Sequence, residues 1–128
     1  MKITNKDLVA MAAQAKLNSY SPYSGFAVGA AIECASGEVF TGCNVENLAY
    51  GSTICAEANA ITTAVAAGFR EFVRIAVSSD GEEFCMPCGN CRQLLNEFSP
   101  TITVLAARHD DEFVRCSLAQ LLPSAFAG

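Results

Sequence analysis

Positive charge is scarce in this chain. Eight Lys and Arg residues stand against thirteen Asp and Glu, giving a formal net charge of −5 and a pI of about 4.7. Lys2, Lys6, Lys16, Arg70, Arg74, Arg92, Arg108 and Arg115 form no basic run. A phosphate backbone would be repelled at long range, so nucleic acid is not expected as a partner. Long apolar runs are missing as well: no segment offers about 18 uninterrupted apolar residues for a membrane span. The N-terminal "MKITNKDLVAMAAQAKLNS" mixes charges through its apolar positions and has no signal-peptide core. Internal repeats, linkers and low-complexity tracts are absent. Histidine is reduced to His109, which lies among Arg108, Asp110 and Asp111 and reads as part of a solvated turn without a catalytic role.

What is present fits one compact domain over residues 1–128, since 128 residues with 52% hydrophobic content build one core and leave little for a second. Seven cysteines is an odd number, which excludes a fully paired disulfide framework and favours ligand or core roles. A reducing compartment, the cytoplasm, is the expectation.

Thr4 with Asp7 reads as a helix start, and Leu8, Met11, Ala12 and Ala15 recur at helical spacing up to the turn-rich "NSYSPYSG". Residues 26–34 and 39–45 flank "ASGE" and predict a hairpin. A helix over 54–67 stops at Gly68 and leads to a buried strand over 73–79. A second helix begins near Cys88, carries Leu94, Leu95 and Phe98, ends before Pro100 and precedes a strand over 101–107. A short strand over 113–116 and a last helical turn in "SLAQLLP" follow. Strands alternating with helices predict an α/β fold with a mixed sheet covered on both faces.

The strongest chemical signal is "MPCGNCRQ", where Cys88 and Cys91 stand in C-x-x-C spacing at a helix start. Two thiols so spaced can converge on one ion, and helix-end amides stabilise thiolates. Taken alone, the pair reads first as a metal clip, then as a redox couple, and last as coincidence. Cys55 adds a third thiol at the start of another predicted helix. Three thiolates make an incomplete tetrahedron around zinc, whereas a structural site closes with a fourth protein ligand. The open position suggests catalysis. Cys85 competes for it, but precedes Pro87 and would have to fold back onto the same ion.

In "TICAEANAI", Glu57 follows Cys55 by two residues. Side chains two apart in a helix point roughly 200° apart, so a shared metal would have to lie over the helix end. There Glu57 could take a proton from the attacking water and hand it to a leaving nitrogen. The plainer alternative is a first-turn acid that favours the helix dipole.

"CAE" at 55–57 followed by "PCGNC" at 87–91 is the zinc nucleoside-deaminase signature, with Cys in the place where His is often the first ligand. With "SPYSGFAVGAA", "GCNVEN", "PCGNCRQ" and "LLPSAF" in family order, nearly the whole chain closely resembles the short, homotetrameric cytidine deaminases. The resemblance implies a three-layer α/β/α sandwich with a mixed five-stranded sheet and zinc-dependent conversion of cytidine or deoxycytidine to the uridine form, with ammonia released. It implies Cys55, Cys88 and Cys91 as zinc ligands and Glu57 as proton shuttle. Phe26, Asn44 and Glu46 resemble sugar-pocket residues, Ala56 a substrate contact, and Phe126 an aromatic placed over the pyrimidine of a neighbouring subunit. Tyr50 resembles a residue near that inter-subunit site. Such proteins are homotetramers acting on a small cytosine nucleoside, without nucleic acid or membrane partners, in pyrimidine salvage.

One position departs from the pattern. The family usually carries an Arg after "CAE" that hydrogen-bonds the ligand thiolates, and this chain has Ala58. Three thiolates leave the zinc shell at formal charge −1, which weakens the Lewis acid unless cations or amides compensate. Arg92 is the remaining candidate cation, with helix-end amides supplying the rest. Loss of that Arg is similar to the blasticidin S deaminases, so a modified cytosine nucleoside is one alternative substrate. A non-catalytic zinc or nucleoside-binding protein and a thiol-redox protein are the others.

Overall fold

The computed structural model describes residues 2–125, so Phe126 lies outside the described residues. Helix α1 (Asn5–Lys16) opens with the expected capping box, in which the Thr4 side chain and Asp7 each accept from the other's backbone N–H. Strands β1 (Val28–Cys34) and β2 (Val39–Cys43) form the hairpin. Helix α2 (Ala56–Ala66), strand β3 (Phe72–Ser79), helix α3 (Gly89–Phe98), strand β4 (Thr103–Ala107), strand β5 (Phe113–Ser117) and the single turn α4 (Leu118–Leu121) complete the order. Gly68 adopts φ +101°, a left-handed conformation that stops α2 at little steric cost.

The five strands run β2-β1-β3-β4-β5, with β3 and β4 the parallel pair and the other neighbours antiparallel. A parallel pair needs a crossover, and α3 supplies it. The sheet is therefore mixed and five-stranded, as the resemblance implied.

Alternation along β1 builds the two cores. Ala30 and Ile32 face one side, with Ile75, Val77 and Val104, and meet Ala60, Ile61 and Ala64 of α2, Leu95 of α3 and Leu118 of α4. Ala31 faces the other side, with Ala76 and Leu105, and meets Leu8, Val9 and Ala12 of α1. Helices thus cover both faces.

Hairpin boundaries differ from expectation at both ends. Pairing starts at Val28 rather than residue 26 and stops at Cys43 rather than 45. Beyond Cys43, Asn44 N still donates to Val28 O at 3.1 Å, and the chain then takes two new partners: the Val45 and Ile54 backbones exchange both N–H···O bonds at 2.9 Å, and Glu46 N donates to Tyr20 O at 2.8 Å. This exchange draws "NSYSPYSG", "GCNVEN" and "TICAE" together at one end of the sheet.

Helix α2 lies almost directly on β2 at Gly42. A Cβ built there would stand 2.5 Å from Ala60 N and 2.8 Å from Ala56 O, closer than real contacts allow. Gly42→Ala should therefore push α2 outward and destabilise the fold by about 1–3 kcal/mol, the usual cost of overpacking. Because α2 begins at Cys55, weaker metal retention should accompany the lower midpoint in a denaturation series.

Candidate metal centre and its cavity

Two helix starts meet at the site. Cys55 precedes α2 and Cys88 precedes α3, both with extended backbone, at φ −71° and −69°. The Cys55 side chain makes no capping bond, whereas Cys88 Sγ accepts from Cys91 N at 3.4 Å. A first-turn amide of α3 is thereby directed at the Cys88 sulfur, the arrangement that favours an anion at a helix N-terminus.

All seven cysteines are free thiols. Three of them, Cys55, Cys88 and Cys91, place their sulfurs within 4.8 Å of one another, and the Cys55 and Cys88 sulfurs are 3.8 Å apart. Four ligands at about 2.3 Å in a tetrahedron stand roughly 3.8 Å from each other, so the sulfur spacing and the soft donor set fit zinc. Cys85 is not part of the cluster. It lines the cavity instead, its thiol pushed up to about 11 by burial and by the neighbouring Glu57 carboxylate.

Glu57 is 5% exposed. Burial holds its carboxyl above the usual carboxylate range, while hydrogen bonds from its own N–H, the Cys91 thiol and the Cys88 N–H pull the other way. Since Cys55 is a cap rather than a helical residue, the thiol and the carboxyl converge over the helix end, the only geometry their two-residue spacing permits. Burial also raises the Cys91 thiol, and raises Cys55. These groups therefore hold protons until a cation displaces them.

The cavity above the cluster has a volume of about 290 Å³, close to the lower bound for small-molecule sites. Phe26, Asn44 and Ala56 line it, together with Val28, Thr53, Ile54, Cys85 and Met86. Nothing in the spacing pointed to Val28, Thr53 or Ile54; the Val45–Ile54 pairing brings them in. A larger recess of about 650 Å³ around Glu33 and Arg74 lies at the opposite ends of β1 and β3. Its Arg74 and Glu33 already pair with each other, Arg74 Nε meeting Glu33 Oε1 at 2.6 Å, so chemistry rather than volume identifies the site.

Asn44 and Glu46 lie beyond the end of β2, on either side of Val45, whose backbone bridges Tyr20 and Ile54. The Asn44 Oδ1 accepts from Val28 N at 2.9 Å and from Ser19 Oγ, and its Nδ2 donates to Phe26 O at 2.8 Å. Asn44 thus ties down the backbone on either side of Ala27 while lining the cavity. Glu46 accepts from Tyr23 N and Ser24 N, each at 3.0 Å, and from Ser24 Oγ. It lines a neighbouring recess with Tyr50, and Thr53 borders both spaces. Tyr50 is 82% exposed. Arg92, expected beside the thiolates, directs Nε to Pro87 O at 2.7 Å and Nη1 to Leu121 O at 2.9 Å, bracing the loop before Cys88 against α4.

Residues 2–107 match the family described as the cytidine and deoxycytidylate deaminase zinc-binding region. The chain belongs to that family. It is similar to a cytidine deaminase of Sporosarcina psychrophila, 40% identical over 121 residues that cover 94% of this chain and 89% of that relative. It is also similar to the crystal structure of cytidine deaminase from Burkholderia pseudomallei, with TM-score 0.93, 42% identity and coverage of 97% of this chain and 100% of that one. The cytidine deaminase of Mycobacterium leprae gives TM-score 0.82 at 38% identity, covering 95% and 100%. Within this deaminase family zinc is the cofactor, and the Cys55, Cys88 and Cys91 cluster suits it. These similarities favour cytidine deamination over the antibiotic-deaminase and non-catalytic readings.

Ala58 lies three residues after Cys55, on the same side of α2. An Arg placed there adds a cation beside the thiolates, whereas Arg92 Nε and Nη1 donate to the Pro87 and Leu121 carbonyls, and a charge-assisted hydrogen bond is worth about 1.5–3 kcal/mol. Ala58→Arg should therefore raise kcat at least about threefold with zinc fully loaded. Unchanged kcat and zinc affinity would mean that the helix-end amides already compensate the shell.

Proposed function

We propose that the chain catalyses hydrolytic deamination of cytidine and deoxycytidine to uridine and deoxyuridine. The observation that carries this reading is the buried Glu57 carboxyl beside three convergent sulfurs at the base of a nucleoside-sized cavity. When bound, zinc supplies the Lewis acidity that makes a water nucleophilic near neutral pH.

This chain's own residues do the rest. Cys55, Cys88 and Cys91 would hold the metal beside the cavity. Glu57, kept basic by its dry surroundings, takes a proton from the attacking water and delivers one to the departing amino nitrogen. Water adds at the carbon bearing the amino group, the C–N bond breaks, and ammonia leaves. Ala56 and Asn44 contact the bound nucleoside, Phe26 packs against it, and Glu46 and Tyr50 act from the adjoining recess.

Tyr20, Tyr23, Phe26, Val45, Leu48, Tyr50 and Ile54 are each at least 40% exposed, and most lie in the segments that surround the cavity. Such an apolar rim supports a homotetramer in which neighbouring subunits complete each site, with Phe126 as a contact across the boundary. No helix among the described residues is long and apolar enough to cross a membrane. One sheet with a core on each face supports a single domain, and a role in cytoplasmic pyrimidine salvage follows from the substrate. Ultraviolet-detected loss of cytidine with stoichiometric ammonia, by zinc-loaded protein, tests the activity; no ammonia from cytidine or deoxycytidine would refute it.

A further inference from the structure

The cavity above the cysteines does not stand alone. A second recess of about 450 Å³, bordered by Ser79, Gly81 and Phe84, adjoins it, and Phe26, Cys85 and Met86 line both spaces. These three side chains are the partition. Phe26 is anchored through its backbone, its carbonyl accepting from Asn44 Nδ2 at 2.8 Å and its N–H donating to Ser24 Oγ at 3.0 Å, and its rigid ring, in a residue 45% exposed, lies 3.2 Å from the position of a Cβ at Gly81. Cys85 is fixed as well, with its N–H on Ala107 O at 3.1 Å and its thiol hydrogen-bonded to Ser79. Met86 is 41% exposed and carries an unbranched, rotatable thioether. It is the movable member of the wall.

We propose that Met86 is a specificity-determining residue, which by its rotamer opens the nucleoside cavity into the second recess and admits cytosine nucleosides substituted at ring carbon 5. The inference rests on the deaminase reading above. The reacting carbon must face Cys55, Glu57 and Cys88. Of its two ring neighbours, the nitrogen bears no substituent, and carbon 5 does. A group on carbon 5 extends along the wall nearest the ligands, and Met86 stands two residues before Cys88. A shorter side chain at 86 leaves the two spaces joined, whereas a rigid ring seals them.

The test compares kcat/KM for 5-iodocytidine with that for cytidine, in zinc-loaded native protein, Met86→Ala and Met86→Phe. Taking each ratio against the native one cancels the electronic effect of iodine. The ratio should rise about tenfold in Met86→Ala and fall about tenfold in Met86→Phe, the range expected when a pocket gains or loses a group of methylene size or larger. Calorimetric affinities of the products, 5-iodouridine against uridine, should order the three proteins in the same way. Either variant decides alone: a ratio within twofold of native in a folded variant that turns over cytidine overturns the inference and leaves the deaminase reading intact. Absence of cytidine turnover in the native protein overturns both.

Discussion

Glu57→Gln should lower turnover by at least about 10²–10⁴-fold while zinc content stays at the native level. The replacement keeps size and shape, and the Cys88 N–H and Glu57 N–H can still donate to the remaining carbonyl oxygen. What is lost is the ability to take a proton from water and return one to nitrogen. The same change removes an ionisable group that burial disfavours, so the thermal midpoint should hold or rise slightly rather than fall. A loss of activity with intact metal and intact folding isolates the proton-transfer role. Near-native turnover at full zinc occupancy would remove Glu57 from the mechanism.

Cys91→Ala should release the metal, and turnover should fall with it. Cys91 is fully buried in the first turn of α3, where its backbone N–H already engages Cys88 Sγ. Removing its thiol leaves two ligands on an ion for which zinc-site binding energies are about 10–16 kcal/mol, so occupancy after dialysis should drop below about one-tenth. Cys85→Ala is the control. It deletes a neighbouring thiol outside the cluster and should keep full occupancy; zinc loss there would instead mean a closed four-cysteine site. Acid acts in the same direction as Cys91→Ala, because burial raises the thiols of Cys55 and Cys91 and protons compete with the metal. Zinc retention should therefore weaken steadily as pH falls.

Local chemistry made much of this legible in advance. Thr4 and Asp7 cap α1 within one turn, Gly68 ends α2, and Pro100 follows the end of α3, because each of these signals acts over three or four residues. The C-x-x-C pair places two sulfurs near each other by the same short reach. The strand boundaries at 28 and 43 were less legible: they depend on where β1 gives up β2 and where the backbone of 44–46 finds Tyr20 and Ile54, which are distant in sequence. Asn44 and Glu46 illustrate the consequence. Asn44 lines the metal cavity and Glu46 the adjoining recess, with the Val45 bridges to Tyr20 and Ile54 between them. Arg92 likewise carried the right charge for the thiolates, and the approach of α4 turned its guanidinium to the Pro87 and Leu121 carbonyls.

The sequence by itself determined the metal-binding residue types, the proton-carrying acid beside them and the order of helices and strands. These are properties of residue chemistry and short spacing. Tertiary structure alone decided that Cys55 reaches a pair more than thirty residues away, that Glu57 is dry, and that Phe26, Cys85 and Met86 stand between two adjoining recesses. Each depends on which distant segments pack together, and burial and proximity belong to that packing rather than to any one residue.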